Sequence, residues 1–230
     1  MIMANNRQES LITISNPRSP ISEAYRTLRT NLEFSSLDKP LRTMVVTSAG
    51  PEEGKSTTLA NLAVTLAQAE KKVILVDCDL RRPSQHEIFE VENGVGLTTM
   101  VVDEEAFKNP PLQETPVPNL KLLPSGPLPP NPSELLGSRR MEEIIATLRE
   151  RADLVLFDAP PIIAVTDAAV LASKVDGVLL VINAGTTKRD HAQRAKALLE
   201  KVNARLVGAV LNNVRMDISL HRYYAEQKQA

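Results

Sequence analysis

"TMVVTSAGPEEGKST", residues 43–57, decides the fold. An apolar, β-branched run at 43–48 enters a turn holding Gly50 and Gly54, and a helical pattern follows over 55–70. A strand that passes to a helix through a glycine turn ending in Lys-Ser is suited to holding phosphate. Backbone N–H groups around Gly54 to Ser56 point at the anion, and the helix dipole favours negative charge there. Lys55 supplies a point charge for the β and γ phosphates, and the Ser56 hydroxyl is available to Mg²⁺. The expected ligands are therefore a nucleoside triphosphate and Mg²⁺, with Gly50, Glu53, Gly54, Lys55, Ser56 and Thr57 as the contact stretch. The first glycine of the G-x4-G-K-[ST] pattern is replaced by Ala49, with Gly50 one place later. That departure is tolerable if position 49 needs no positive φ. The alternative reading is a plain glycine turn before a helix.

Working outward, further near-continuous apolar runs lie at 72–77, 120–125, 153–158, 177–182 and 206–211. Strands without polar alternation are covered on both faces, which implies a parallel sheet. Helical patterns lie between them at 133–151, 167–174 and 188–203, and a first helix spans 22–35. The fold class is α/β: a P-loop NTPase-like, doubly wound, mostly parallel sheet flanked by helices, with ligands at the carboxyl ends of the strands. Residues 1–19 read as a mobile or loosely attached arm, 20–213 as the P-loop domain and 214–230 as a tail. The proline-rich stretch within 91–133 reads as irregular, leaving through a helix start capped by Asn131, with Pro132 at N1, or by Ser133.

The chain has 230 residues, 24% of them charged, and a net charge of −1. That length suits one α/β domain, and the balance gives no electrostatic pull toward nucleic acid. Its apolar runs are strand-sized, below the roughly 18–20 residues that span a bilayer, so a cytoplasmic protein is expected. One cysteine, Cys78, excludes an internal disulfide framework, and the three histidines stand far apart.

Two further stretches carry chemistry. In "VILVDCDLRRP", residues 73–83, Asp77 and Asp79 are two apart at a strand end and point the same way if the strand continues. In "LVLFDAPP", residues 154–161, Asp158 closes another strand. Like charges about 4 Å apart repel by about 4 kcal/mol at an effective dielectric near 20, so three acids beside a triphosphate call for a cation. Asp158, in the Walker B position, would hold the shell of Mg²⁺ through water with help from Asp77, and Asp79 is the candidate base. Arg81 and Arg82 form either a phosphate clamp or a solvated face.

These stretches together resemble the bacterial tyrosine kinase family, P-loop enzymes that phosphorylate themselves and other proteins on tyrosine and serve capsule and exopolysaccharide synthesis. "SAGPEEGKST" (48–57) is similar to its Walker A motif, "VILVDCDLRRP" to its A′ motif and "LVLFDAPP" to its Walker B. "VTDA" (165–168), "GPLPPNPSELLGS" (126–138) and "GAVLNNV" (208–214) also resemble family segments. The resemblance implies Lys55, Ser56, Asp77, Asp79 and Asp158 as the ATP, magnesium and catalytic residues, and Asn212 near the base. "SEAYRTLRTN" (22–31) holds Glu23, Arg26 and Arg29 at spacings of three, similar to the family's ring-assembly motif. Spacing alone equally describes an exposed charged helix face. The resemblance implies a self-assembled ring, tyrosine-bearing protein substrates, and a membrane adaptor that recruits the kinase to the inner face of the membrane.

The expected acceptors are Tyr223 and Tyr224, in the polar tail "SLHRYYAEQKQA" (219–230). Ten residues separate Asn213 from Tyr223, a reach of at most about 33–36 Å. Two competing readings are a hydrolytic ATPase switch of the partition and division-site type and a slow regulatory scaffold. The switches carry an extra lysine five residues before the P-loop lysine, where this chain has Gly50.

Overall fold

The computed structural model describes residues 11–35 and 39–214. Its strands are Thr43–Ser48 (β1), Val73–Asp77 (β2), Gln113–Glu114 (β3), Leu120–Leu123 (β4), Leu154–Asp158 (β5), Gly177–Asn183 (β6) and Leu206–Asn212 (β7). They form one sheet in the order β3-β4-β2-β5-β1-β6-β7. Every neighbouring pair is parallel except β3 with β4. The six strands expected from apolar runs are present, each within two residues of its expected ends.

Both faces of the sheet are covered, which explains the lack of polar alternation. Val45 packs into one layer with Leu97, Met141, Ile144, Leu171 and Leu199. Its neighbours Met44 and Val46 point to the opposite layer with Leu32, Leu59, Leu62 and Leu66. Pro20–Ser35 (α2) and Lys55–Gln68 (α3) cover that second face; Leu97–Val102 (α5), Arg139–Arg149 (α8), Asp167–Ala172 (α9) and Arg189–Lys201 (α10) cover the first. Residues 58–67 of α3 are all buried, so the helix behind the glycine turn is a fixed base.

Three expectations change. Residues 11–19 are not loose: Ile12–Ser15 (α1) is a helical turn, and Thr13 donates to Asn61 Oδ1 on α3 from its N–H (3.1 Å) and its hydroxyl (2.8 Å). A buried Asn amide on α3 thus finds its partner in the arm, which ties the arm down. The helix expected over 133–151 is two, Pro132–Gly137 (α7) and α8, because Ser138 leaves the helical region (ψ 157°) and its Oγ accepts from the Met141 N–H at 3.2 Å. A serine serving as a cap starts a new helix. The segment 91–133 is not irregular throughout: it holds α5, Glu104–Lys108 (α6) and β3. Asp103 caps α6, accepting from the Glu105 and Ala106 N–H groups. At its exit Asn131 occupies the N-cap position with Pro132 at N1, but its side chain makes no capping bond to the backbone and donates instead to Glu134 Oε2 at 3.2 Å.

Candidate active site

The sheet order places β1, β5 and β2 side by side, so the P-loop and both acidic motifs emerge at one edge. Val46 registers with Asp158, and Asp77 with Asp158. The loop after β1 turns through Glu52 (φ 59°) and Gly54 (φ 83°), whereas Ala49 is fully buried and absent from the positive-φ positions. The alanine that departs from the glycine pattern therefore carries no strain. At Gly54 a Cβ would stand 2.1 Å from Nδ2 of Asn212, so any other residue there would displace that amide in addition to adopting a positive φ.

Hydrogen bonds to Glu53 brace this loop. Glu53, 5% exposed, accepts from the Ala49 N–H (3.1 Å) and from the Thr187 hydroxyl (2.6 Å). Asn212 at the end of β7 donates from Nδ2 to the Glu53 carbonyl (3.0 Å). Gly50 accepts from the Ser48 hydroxyl at 2.7 Å. The first turn of α3, residues 55–58, holds no acid, and Gly54 offers no side-chain cap; the Thr58 N–H donates to the Gly54 carbonyl, which leaves the N–H groups of residues 55–57 to face an anion.

Lys55 lies among the acids. Its Nζ is 2.8 Å from Asp79 Oδ2, 3.4 Å from Asp158 Oδ1 and 3.0 Å from the Ser56 hydroxyl. Burial opposes the ammonium, but the charges of Asp158 and Asp79, the hydrogen bond to Asp79 and the charge of Asp77 together hold its pKa above the usual lysine value. The three carboxylates are 0%, 4% and 0% exposed at positions 77, 79 and 158, so this one cation is their principal neutraliser.

Asp77 and Asp79 do not point the same way. The strand ends at Asp77, whose Oδ2 accepts from the N–H groups of Ser84 and Gln85, both at 2.9 Å, and whose Oδ1 accepts from the Asp79 N–H at 3.2 Å. Burial, then the charge of Asp158, push the Asp77 carboxyl up to about 8 against those hydrogen bonds and Lys55. Asp79 turns to Lys55 and accepts from the Arg82 N–H at 3.0 Å. Cys78 between them is fully buried, and burial followed by the neighbouring acids drives its thiol well above the usual value.

Three features were not legible in the sequence. Arg81 is exposed, as a solvated face would have it, but its guanidinium also makes two bonds, 2.8 and 3.1 Å, to the buried carboxylate of Asp167. The Thr187 contact crosses 134 positions of chain. Gln85, the first residue of Gln85–Ile88 (α4), is fully buried and donates from Nε2 to Asp158 Oδ2 (2.7 Å) and to the Ser56 carbonyl (3.1 Å). No pattern marks a lone glutamine after an A′-like stretch.

On α2, Glu23 and Arg26 pair at 2.8 Å, and Arg26 also donates to the Pro17 carbonyl. Arg29 turns inward and donates to the Thr65 carbonyl of α3 at 2.9 Å. Tyr223 and Tyr224 lie outside the described residues.

The donor set fits a nucleotide and its magnesium. Among the described residues no three His, Cys, Asp or Glu side chains converge as a protein-only metal cage. Magnesium in phosphate sites takes one or two protein groups, with phosphates and waters completing its shell. The Ser56 hydroxyl and an Asp158 oxygen both lie beside Lys55, where such groups would be needed, and Asp77 accepts three backbone N–H groups on its two oxygens.

Residues 43–208 match a family model described as an AAA domain. The chain is 43% identical over 228 residues to tyrosine-protein kinase YwqD of Bacillus subtilis, covering 97% of this chain and 95% of that protein. It is 34% identical over 203 residues to tyrosine-protein kinase Etk of Escherichia coli, covering 88% of this chain but 28% of that longer protein. The crystal structure of the chimerical protein CapA2B2 matches with a TM-score of 0.86 at 39% identity, covering 90% of this chain and 91% of that one. The solved kinase domain of ETK matches with a TM-score of 0.85 at 33% identity, covering 91% and 82%. With its P-loop, A′ and Walker B acids gathered around Lys55 at one sheet edge, the chain belongs to the bacterial tyrosine-protein kinases.

Proposed function

We propose that this kinase binds ATP with magnesium at the P-loop and transfers the γ-phosphoryl group to Tyr223 or Tyr224 of its own tail, and to tyrosines of other proteins. The observation that carries the reading is the placement of Asp79, a carboxylate held 2.8 Å from the P-loop lysine in addition to the Walker B acid. A hydrolytic switch needs no second acid to receive a phenolic proton; a tyrosine kinase does, since the phenol has a pKa near 10.

The N–H groups of residues 54–57 and the Lys55 ammonium bind and orient the phosphates. Gly50 and Glu53 shape the loop, and Asn212, bonded to the Glu53 carbonyl at its flank, would meet the base. Ser56 and, through water, Asp158 would hold magnesium, which when bound neutralises charge on the phosphate oxygens; Asp77 braces Asp79 through its N–H. As Lys55 turns to the phosphates it releases Asp79 to take the tyrosine proton. The phenolic oxygen forms a bond to the γ-phosphorus while the bond to the β-phosphate oxygen breaks and ADP leaves.

Assembly is proposed through Glu23, Arg26 and Arg29 of α2, where Arg29 also ties the helix to α3 through its bond to the Thr65 carbonyl. Among the described residues no helix is long and apolar enough to cross a membrane. Etk extends well beyond the matched part and the CapA2B2 structure is a chimera, which supports a membrane-bound activator in capsule or exopolysaccharide synthesis that recruits this kinase to the membrane's inner face.

Intact mass after incubation with MgATP and a candidate adaptor tail tests the chemistry. Steps of about 80 daltons that vanish in Tyr223→Phe/Tyr224→Phe support it. Lys55→Met should lower the rate by about 10²-fold or more. Steady phosphate release with no added mass would mean that water is the acceptor.

A further inference from the structure

Gln85 stands between the two acidic motifs and the P-loop helix. Its backbone N–H donates to Asp77 Oδ2 (2.9 Å), and its Nε2 donates to Asp158 Oδ2 (2.7 Å) and to the Ser56 carbonyl (3.1 Å). Both protons of the side-chain NH₂ are therefore used, one on each of the residues assigned above to magnesium. The bond to Oδ2 also fixes which way the Asp158 carboxylate faces, because it leaves Oδ1 toward Lys55 at 3.4 Å. The other end of the same amide is unsatisfied: Gln85 Oε1 is buried with no hydrogen-bond partner among the described residues. Amide geometry puts that oxygen about 2.2 Å from Nε2, hence within about 5 Å of Asp158 Oδ2. A buried carbonyl without a donor carries a desolvation penalty that is relieved only when a donor arrives.

A purely structural filler would not have this arrangement. A methionine would occupy the same volume without leaving an orphaned acceptor, and a glutamate would place a further negative charge against Asp158. The neutral amide orients the acid with its donor end and leaves an acceptor beside it. We propose that Gln85 is a positioning residue for the phosphoryl-transfer centre, its Nε2 fixing Asp158 and Ser56 relative to each other and its free Oε1 accepting from water that arrives with the hydrated cation of the nucleotide. The inference rests on the MgATP reading above. It makes α4 part of the metal environment, although none of its residues would touch the metal directly.

The test compares the wild-type chain with Gln85→Met, which keeps the volume and removes both donor and acceptor. Gln85→Asn is the second variant, which keeps the amide but withdraws it by one methylene. Each is titrated with fluorescent ADP in EDTA, then with magnesium at fixed ADP, and unfolding midpoints are recorded alongside. The expected result is ADP affinity without magnesium within about twofold of wild type and a half-saturating magnesium concentration raised about tenfold or more in both variants. Lower thermal midpoints alone, with half-saturating magnesium within twofold of wild type, would reduce Gln85 to packing and overturn the inference. If wild-type ADP binding is itself indifferent to magnesium, the underlying reading fails, and the inference with it.

Discussion

Substituting Gly54 by alanine tests the P-loop at its tightest point. Gly54 has φ 83°, a left-handed conformation that costs an L-residue about 1–2 kcal/mol. The new Cβ would also stand 2.1 Å from Asn212 Nδ2, so that amide has to move and give up its 3.0 Å bond to the Glu53 carbonyl. Such a bond is worth about 0.5–1.5 kcal/mol. Gly54→Ala should therefore cost about 2–3 kcal/mol, a fall of about 5–10 °C in unfolding midpoint for a chain of this size. In an Asn212→Ala background the bond is already lost and the space is open, so only the backbone cost remains. A double-mutant cycle by denaturant unfolding should then show a coupling of about 1 kcal/mol, with the pair less damaging than the sum. Nucleotide affinity should fall with Gly54→Ala and recover partly in the double mutant. Strict additivity within about 0.3 kcal/mol would mean that Asn212 does not brace the loop.

Asp77 gives a pH signature. Its folded-state value, near 8, lies above the ordinary 3.8, so the stability it contributes is fully present below the unfolded value and lost as pH rises through about 8. Without nucleotide, wild-type unfolding midpoints should fall relative to Asp77→Asn between pH 5 and 9; parallel profiles would contradict the buried-acid account. Arg81→Ala strands the buried carboxylate of Asp167. Because the arginine is 43% exposed, the expected cost is about 1–2 kcal/mol rather than the full penalty of a buried pair. Adding Asp167→Asn should recover more than half of it by calorimetry, and no recovery would show that the pair is not what matters. On α2, Arg29→Ala should cost about 1–2 kcal/mol in denaturant unfolding through its lost bond to Thr65, and Glu23→Ala less than about 0.5 kcal/mol. Equal costs would remove the distinction between an inward arginine and an outward pair.

The sequence by itself determined the strand runs, the parallel sheet and the P-loop. Those signals are local: β1 and β2 are buried on both faces and so largely apolar, and a glycine suits the positive φ of position 54 at the turn from strand to helix. Gathering Asp77, Asp79 and Asp158 at one edge also followed from local pattern, because parallel strands bring their carboxyl ends together. The orientation of those acids did not. Asp77 faces backbone N–H groups from residues 84 and 85, while Asp79 turns to Lys55, since the strand stops between them. Only the tertiary structure decided that Arg81 pairs with Asp167 across 86 positions, that Asn212 presses on Gly54, that Arg29 faces α3, and that Gln85 reaches Asp158 across 73. Each is a hydrogen bond or close contact between residues distant in sequence, which spacing within one segment does not encode. The arm at 11–19 shows the same limit: its polarity reads as loose chain, yet a buried asparagine on α3 supplies the partner that holds Thr13.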